Sequence, residues 1–225
     1  MKAAFLFSGQ LRGFKYCIDS LKTELFDLFD VSDKFFFCTT EDYNEIDLLK
    51  SLNPINLTFE QDFYHPLDEV VNSYNQITYS NSKIAQNGYS LKGRMQHYYL
   101  QWYGVKRVFE IMENYSLTSK KQYDLIFRLR FDTFMKTSLN INEVKLNCLN
   151  VPDFDHWGGI HDRFGFGSMD TMKVYCHQYD NFHLNNIGNS NSEGRLLQYL
   201  TNNKIDINKI NFSYDRLNKD GSIQP

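Results

Sequence analysis

Three observations predict an α/β domain with a mostly parallel sheet. Apolar strand-like runs alternate with helix-period segments through the first 135 residues. The chain has 225 residues, 42% of them hydrophobic and 16% aromatic, which suits one large domain with a sizeable core. Its small polar and charged clusters also fall just after strands, where parallel sheets carry their ligands.

The elements follow in order. Lys2 to Phe7 reads as a buried strand, and SGQLRG as the turn after it. Phe14 to Phe29 carries Cys17, Leu21, Leu25 and Leu28/Phe29 at helical spacing. Lys34 to Thr39 is the second strand. Glu41 to Leu52 is a short amphipathic helix that Thr40 can cap. Ile55 to Glu60 alternates as a third strand, and residues 62–92 are polar, reading as a short helix plus a long loop of the kind that binds ligands. Gly93 or Arg94 opens a long helix whose stripe runs Met95, Tyr98/Tyr99, Trp102, Val105, Val108/Phe109 and Met112. That stripe belongs to the core. It leads into an apolar strand, Tyr123 to Met135.

Beyond about residue 135 the character changes. VPDFDHWGGIHDRFGFG is rich in glycine and aromatics, with a strand at Phe164 to Gly167. Ser168 or Asp170 can cap a helix to about Tyr179. Asn185 to Ser192 is a polar loop, Ser192 caps a helix from Glu193 to about Thr201, and Ile205 to Tyr214 closes as a strand.

Composition narrows the function classes. The net charge is −3, and no basic run exceeds two residues, so nucleic-acid binding is disfavoured. Cys17, Cys38, Cys148 and Cys176 form no C-x-x-C pair and read as reduced core thiols, which predicts a cytoplasmic protein. The amino-terminal apolar run, Ala3 to Phe7, is too short for a signal peptide, and no stretch approaches transmembrane length.

Four constellations carry chemistry. Arg128, Arg130 and Asp132 alternate with Leu129 and Phe131, and period-2 alternation puts these three polar groups on one face of the strand end. That arrangement suits a diphosphate with its divalent metal, or a salt bridge covering the strand's exit. Ser8, Gly9, Gln10 and Arg12 sit between the first strand and first helix. They form either a plain turn or a phosphate site built on backbone N–H groups and a helix N-terminus. The spacing is neither G-x-G-x-x-G nor a P-loop. His156, His161, Asp153, Asp155 and Asp162 cluster within ten residues without any established zinc spacing. Asp162 precedes Phe164-Gly-Phe-Gly, where a carboxylate can point into a site.

Taken in order, FSGQLRGF, QWYGVKRVFE, YDLIFRLRFDT, HDRFGFGSMDTMKVY, SEGRLLQYL and YDRLNKDG resemble a group of small nucleotide-sugar glycosyltransferases. The group comes from bacterial surface-glycan loci and large DNA viruses, including the chlorella-virus capsid glycosylation type. The resemblance covers essentially the whole chain, and RLRFDT and DRFGFGS are its most specific parts. It implies a single GT-A-like domain, with a nucleotide-sugar-binding half over about residues 1–135 joined continuously to an acceptor half over about 136–225. It also implies Mn²⁺ or Mg²⁺ held by an Asp-x-Asp motif. The matching tripeptide is Arg130-Phe131-Asp132, in which arginine replaces the first aspartate. One carboxylate, Asp132, remains for the metal, and Arg130 can neutralise diphosphate charge directly.

The expected activity is therefore sugar transfer from a nucleoside diphosphate sugar of the UDP or GDP type to a glycan or glycoconjugate acceptor. Ser8, Gly9, Gln10, Arg12, Arg128 and Arg130 would bind the donor, and Asp132 the metal. Asp162 and Glu193 are the candidate catalytic carboxylates. A cytoplasmic location, at the cytosolic membrane face or in a host cytoplasm, follows from the same reading. The alternative is a catalytically silent nucleotide- or sugar-binding module with the same fold, and a methyltransferase is disfavoured by the missing glycine-rich loop.

Overall fold

The computed structural model describes residues 1–38, 45–60, 91–181 and 192–224. Its strands are β1 (Lys2–Gly9), β2 (Val31–Cys38), β3 (Asn56–Phe59), β4 (Leu125–Leu129), β5 (Thr133–Met135), β6 (Leu149–Pro152), β7 (Gly165–Gly167), β8 (Ile207–Ile210) and β9 (Tyr214–Arg216). The α-helices are α1 (Phe14–Glu24), α2 (Ile46–Ser51), α3 (Leu91–Ser119), α4 (Met169–Cys176) and α5 (Ser192–Asn202).

Among the described residues, seven strands form one sheet in the order β3-β2-β1-β4-β7-β6-β8, and β5 pairs with β9 in a separate ribbon. β1 is parallel to β2 and β4, and β2 to β3. β7 runs antiparallel between β4 and β6, while β6 is parallel to β8. The fold class is thus α/β with a mostly parallel sheet flanked by helices, compatible with a Rossmann-like arrangement. Among the described residues no helix is long and apolar enough to cross a membrane.

The core forms two layers because β1 is buried on both faces, which is why it reads as an unbroken apolar run. Phe5, Phe7 and Phe127 pack with α1, α2 and the β5–β9 ribbon on one face. Ala4, Leu6 and Ile126 pack with α3, α4 and α5 on the other, where Trp102 is fully buried as its stripe predicts. Register aligns aromatics across neighbouring strands: Phe5 pairs with Phe127, and Phe127 with Phe166. Their rings stack at 4.9 and 4.4 Å. Such pairs contribute roughly 0.5–1.5 kcal/mol each beyond burial. All four cysteines are free, and Cys17, Cys38 and Cys176 are buried.

Several boundaries differ from the sequence pattern. The apolar segment from Tyr123 is not one strand: β4 stops at Leu129, residues 130–132 turn, and β5 joins the other sheet. Phe131 lies in this turn and still faces the core. Its ring lies 5.4 Å from those of Phe7 and Phe14 and 5.8 Å from Phe36, in the core layer below the sheet. The closing strand likewise divides into β8 and β9, because the Phe212 N–H bonds back to the Ile210 carbonyl at 3.1 Å. α1 ends at Glu24 with a 3-10 turn over Phe26–Leu28, and α4 ends at Cys176 with a 3-10 turn over His177–Asn181. Ser168 does cap α4, its hydroxyl accepting from the Thr171 N–H at 3.4 Å. The Thr40 cap, most of the 62–92 segment and the Asn185 loop lie outside the described residues.

Candidate functional site

β1 and β4 are neighbours, but their helices lie on opposite faces: α1 follows β1 on one, and α3 precedes β4 on the other. Where the winding reverses, the carboxyl ends of two such strands leave a crevice. A cavity of about 510 Å³ occupies it. Ser8, Gly9, Gln10 and Arg12 contribute one wall, and Arg128, Arg130, Phe131 and Asp132 another. Leu100, Gln101 and Gly104 of α3 complete the lining. Gly9 has φ +115°, a conformation suited to glycine. Gly104 lets α3 lie close to β1, since a Cβ there would stand 3.3 Å from the Ser8 Cβ.

Every donor- and metal-site residue expected from the sequence therefore lines one cavity. The turn after β4 changes how they face each other, however. Arg130 curls onto Asp132, its Nε donating to Oδ1 at 2.8 Å and its Nη2 to Oδ2 at 2.9 Å. Arg216 of β9 adds an Nη2 contact to Oδ2 at 3.4 Å. Burial opposes the charge on Asp132, yet Arg130 and then Arg216 outweigh it and hold its pKa below the ordinary carboxylate value. Arg216 is itself lowered, by burial and by the neighbouring Arg130.

Asp132 is thus a clasped anion. A cation such as Mg²⁺ takes about six oxygen ligands, several from water and substrate phosphates, but needs a carboxylate oxygen free to coordinate it. Here it would meet one carboxylate whose two oxygens already accept from guanidinium groups. Among the described residues no three His, Cys, Asp or Glu side chains are grouped to hold a metal ion. The residues present do not fit Mn²⁺ or Mg²⁺ at Asp132.

Arg128 is different. It belongs to β4, is 1% exposed, and its Nε and Nη1 have no hydrogen-bond partner. A buried guanidinium with unmet donors costs several kcal/mol on a rough scale, which is why such groups are rare outside ligand sites.

Neither candidate catalytic carboxylate is among the lining residues, and Asp162 reaches the cavity wall through Gln101. Gln101, one of its lining residues, donates from Nε2 to Asp162 Oδ2 at 3.1 Å. Burial resists the charge on Asp162, but contact with Ser192, the positive charges of Arg128 and Arg163, and the Gln101 bond keep its pKa low. Arg163 links the group, with Nε 3.9 Å from Asp162 and Nη2 3.9 Å from Glu193. Its Nη1 lies 3.4 Å from Asp155. Glu193, in the first turn of α5, moves the other way. Burial first and then the Asp162 charge push its pKa up to about 7. The loop before β7 is wedged against it: the Ile160 N–H donates to the Glu193 carbonyl at 3.0 Å. A Cβ on Gly159 would fall 2.0 Å from the Glu193 backbone carbon.

The histidines do not join either group. His161 is buried, its Nδ1 donating to the Phe154 carbonyl at 3.1 Å and its Nε2 bonded to the Tyr214 hydroxyl. Burial lowers its pKa to about 3, so it is a neutral core residue. His156 Nδ1 accepts from the His161 N–H at 3.2 Å, which ties the same loop together.

Sequence reasoning missed Gln101, Gly104, Arg163 and Arg216. Gly104 had a signal, as a glycine inside an apolar helical stripe marks a close approach. Gln101 and Arg216 had none, because only the packing of α3 and β9 brings them to the cavity.

Residues 2–218 match the model of a family described as Domain of unknown function (DUF7796), and the chain belongs to that family. No curated protein matches it.

Proposed function

We propose that this chain is a glycosyltransferase, moving a sugar from a nucleoside diphosphate donor of the UDP or GDP type to a glycan or glycoconjugate acceptor. One observation carries the reading. Two segments more than a hundred residues apart, Ser8 to Arg12 and Arg128 to Asp132, meet in one cavity at the switch point of the sheet. Cavities of this size, about 510 Å³, take small organic ligands. The lining carries three guanidinium groups against one carboxylate, which suits a diphosphate. The parallel half of the sheet also runs into β6–β8 without a break, as a GT-A-like domain would.

In that reaction the acceptor hydroxyl oxygen bonds to the anomeric carbon as the carbon–oxygen bond to the diphosphate breaks. The diphosphate leaves with the bonding electron pair, and Arg128, Arg130 and Arg12 stabilise its growing charge. For inversion, the hydroxyl proton passes to a carboxylate. Glu193 suits this role, because a pKa of about 7 lets it take and release a proton near neutrality. Asp162, held ionised, orients Gln101 and Arg163 around it.

The test is turnover. The full chain is incubated with UDP- and GDP-sugars and a panel of glycan acceptors, and nucleotide release and acceptor mass are followed. Acceptor-dependent release of UDP or GDP is expected. Nucleotide binding without turnover across the panel would instead favour the silent binding module.

A further inference from the structure

We infer that the cavity recognises a diphosphate with guanidinium groups alone, so that binding needs no divalent cation and Asp132 positions Arg130 instead of holding a metal. The inference rests on the reading of this cavity as a nucleoside diphosphate site and concerns how that site handles charge.

Three observations lead to it. Arg128 lines the cavity while 1% exposed, with Nε and Nη1 unpartnered. Those donors lack only an anionic acceptor, and a phosphate group offers several oxygens in a geometry that a guanidinium matches. Second, both Asp132 oxygens are bonded to Arg130, and Arg216 approaches one of them. A cation at Asp132 would have to displace these contacts. Third, the cavity already concentrates Arg12, Arg128 and Arg130, so a dication placed among them would be repelled, whereas a diphosphate would be drawn in. Arg130, fixed through Phe131 in the core and through Asp132 above it, is oriented before any ligand arrives. Such preorganisation reduces the entropy lost on binding. Arg12 is exposed at the rim and screened by water, so its share is the smallest.

The experiment is calorimetric titration of the full chain with UDP, GDP, uridine, guanosine and inorganic pyrophosphate. Each ligand is titrated once in EDTA and once with Mn²⁺. UDP or GDP is expected to bind in EDTA within about threefold of its affinity with Mn²⁺. The matching nucleoside should bind at least about tenfold more weakly, on the scale of charge-assisted hydrogen bonds. Arg128→Gln should lower diphosphate affinity about 10- to 100-fold, again on that scale, and nucleoside affinity little. Asp132→Asn should weaken diphosphate binding equally in EDTA and in Mn²⁺, whereas a metal ligand would matter only in Mn²⁺. The EDTA comparison on the unaltered chain stands even if a variant fails to fold. Binding of UDP or GDP only with Mn²⁺ would overturn the inference and leave the nucleotide reading intact. EDTA-resistant, Arg128-dependent pyrophosphate binding without UDP or GDP binding would support the inference and sink the nucleotide reading. No binding of any phosphate ligand would sink both.

Discussion

Asp132 and Glu193 are both buried, at 2% and 7% exposure, yet their surroundings drive them in opposite directions. Asp132 lies in the turn after β4, gripped by Arg130 and Arg216, and stays ionised. Glu193 opens α5 beside a second carboxylate, with Arg163 shared among three acids, and its pKa rises to about 7. Depth of burial is therefore not what separates a fixed anion from a proton-exchanging one. The difference lies in how many positive partners each carboxylate has and how they are shared.

The largest effect should come from breaking the Asp132 side. Asp132→Ala leaves Arg130 and Arg216 without their anion. Removing one partner of a buried pair costs roughly 3–5 kcal/mol, and with Arg130 about a quarter exposed the lower end, about 3 kcal/mol, is expected. A strand-end carboxylate in solvent would cost little, so denaturant unfolding within about 0.5 kcal/mol of the parent would mean the clasp is not structural.

Glu193→Gln sharpens the other side. It removes the proton acceptor while keeping the shape, so kcat should fall at least about a hundredfold, with UDP or GDP affinity unchanged. Turnover near the parental rate would remove Glu193 from the reaction and leave Asp162 as the candidate.

Gly159→Ala acts on the Glu193 environment without touching its side chain. Its new Cβ would collide with the Glu193 backbone at 2.0 Å, forcing the loop away and letting water in. A loss of about 1–3 kcal/mol in stability is expected from such overpacking. The acid limb of the pH–rate profile should also shift down, toward an ordinary glutamate. A limb that stays near pH 7 would show that something other than this enclosure raises the pKa.

The last test reads the same carboxylate through stability against pH. Glu193 has a raised pKa in the folded chain, so between about 4.5 and about 7 the native state holds a proton that the unfolded chain has lost. Its contribution is therefore favourable below about 4.5 and is lost as pH rises through 7. Glu193→Gln should flatten the decline in that window. Unfolding curves of parent and variant that run parallel from pH 4.5 to 7.5 would contradict the shift.

Much of the architecture was legible in the sequence because burial leaves a pattern. β1 is apolar from Ala3 to Phe7 since both its faces are covered there, and α3 shows its stripe because one face meets the sheet. The polar clusters after β1 and β4 were visible for a similar reason: ionic side chains interrupting apolar runs mark the sheet's edge. The break after Leu129 was not legible, since period-2 alternation continues in the letters from Arg128 through Asp132. The Phe131 ring stays in the core layer of Phe127 and Leu129 through the turn, against Phe7, Phe14 and Phe36, so its apolar letter carries no mark of the break.

By itself the sequence determined the α/β class and the polar clusters that interrupt the apolar runs of β1 and β4. Those depend on local hydrophobic periodicity, which one chain carries in its own letters. Tertiary structure decided which carboxylate meets which cation. Asp132 is clasped by Arg216 from 84 residues away, and Asp162 is bonded to Gln101 from 61 residues away. The charge each acid carries depends on such partners and on the water excluded around them, and no sequence interval encodes either.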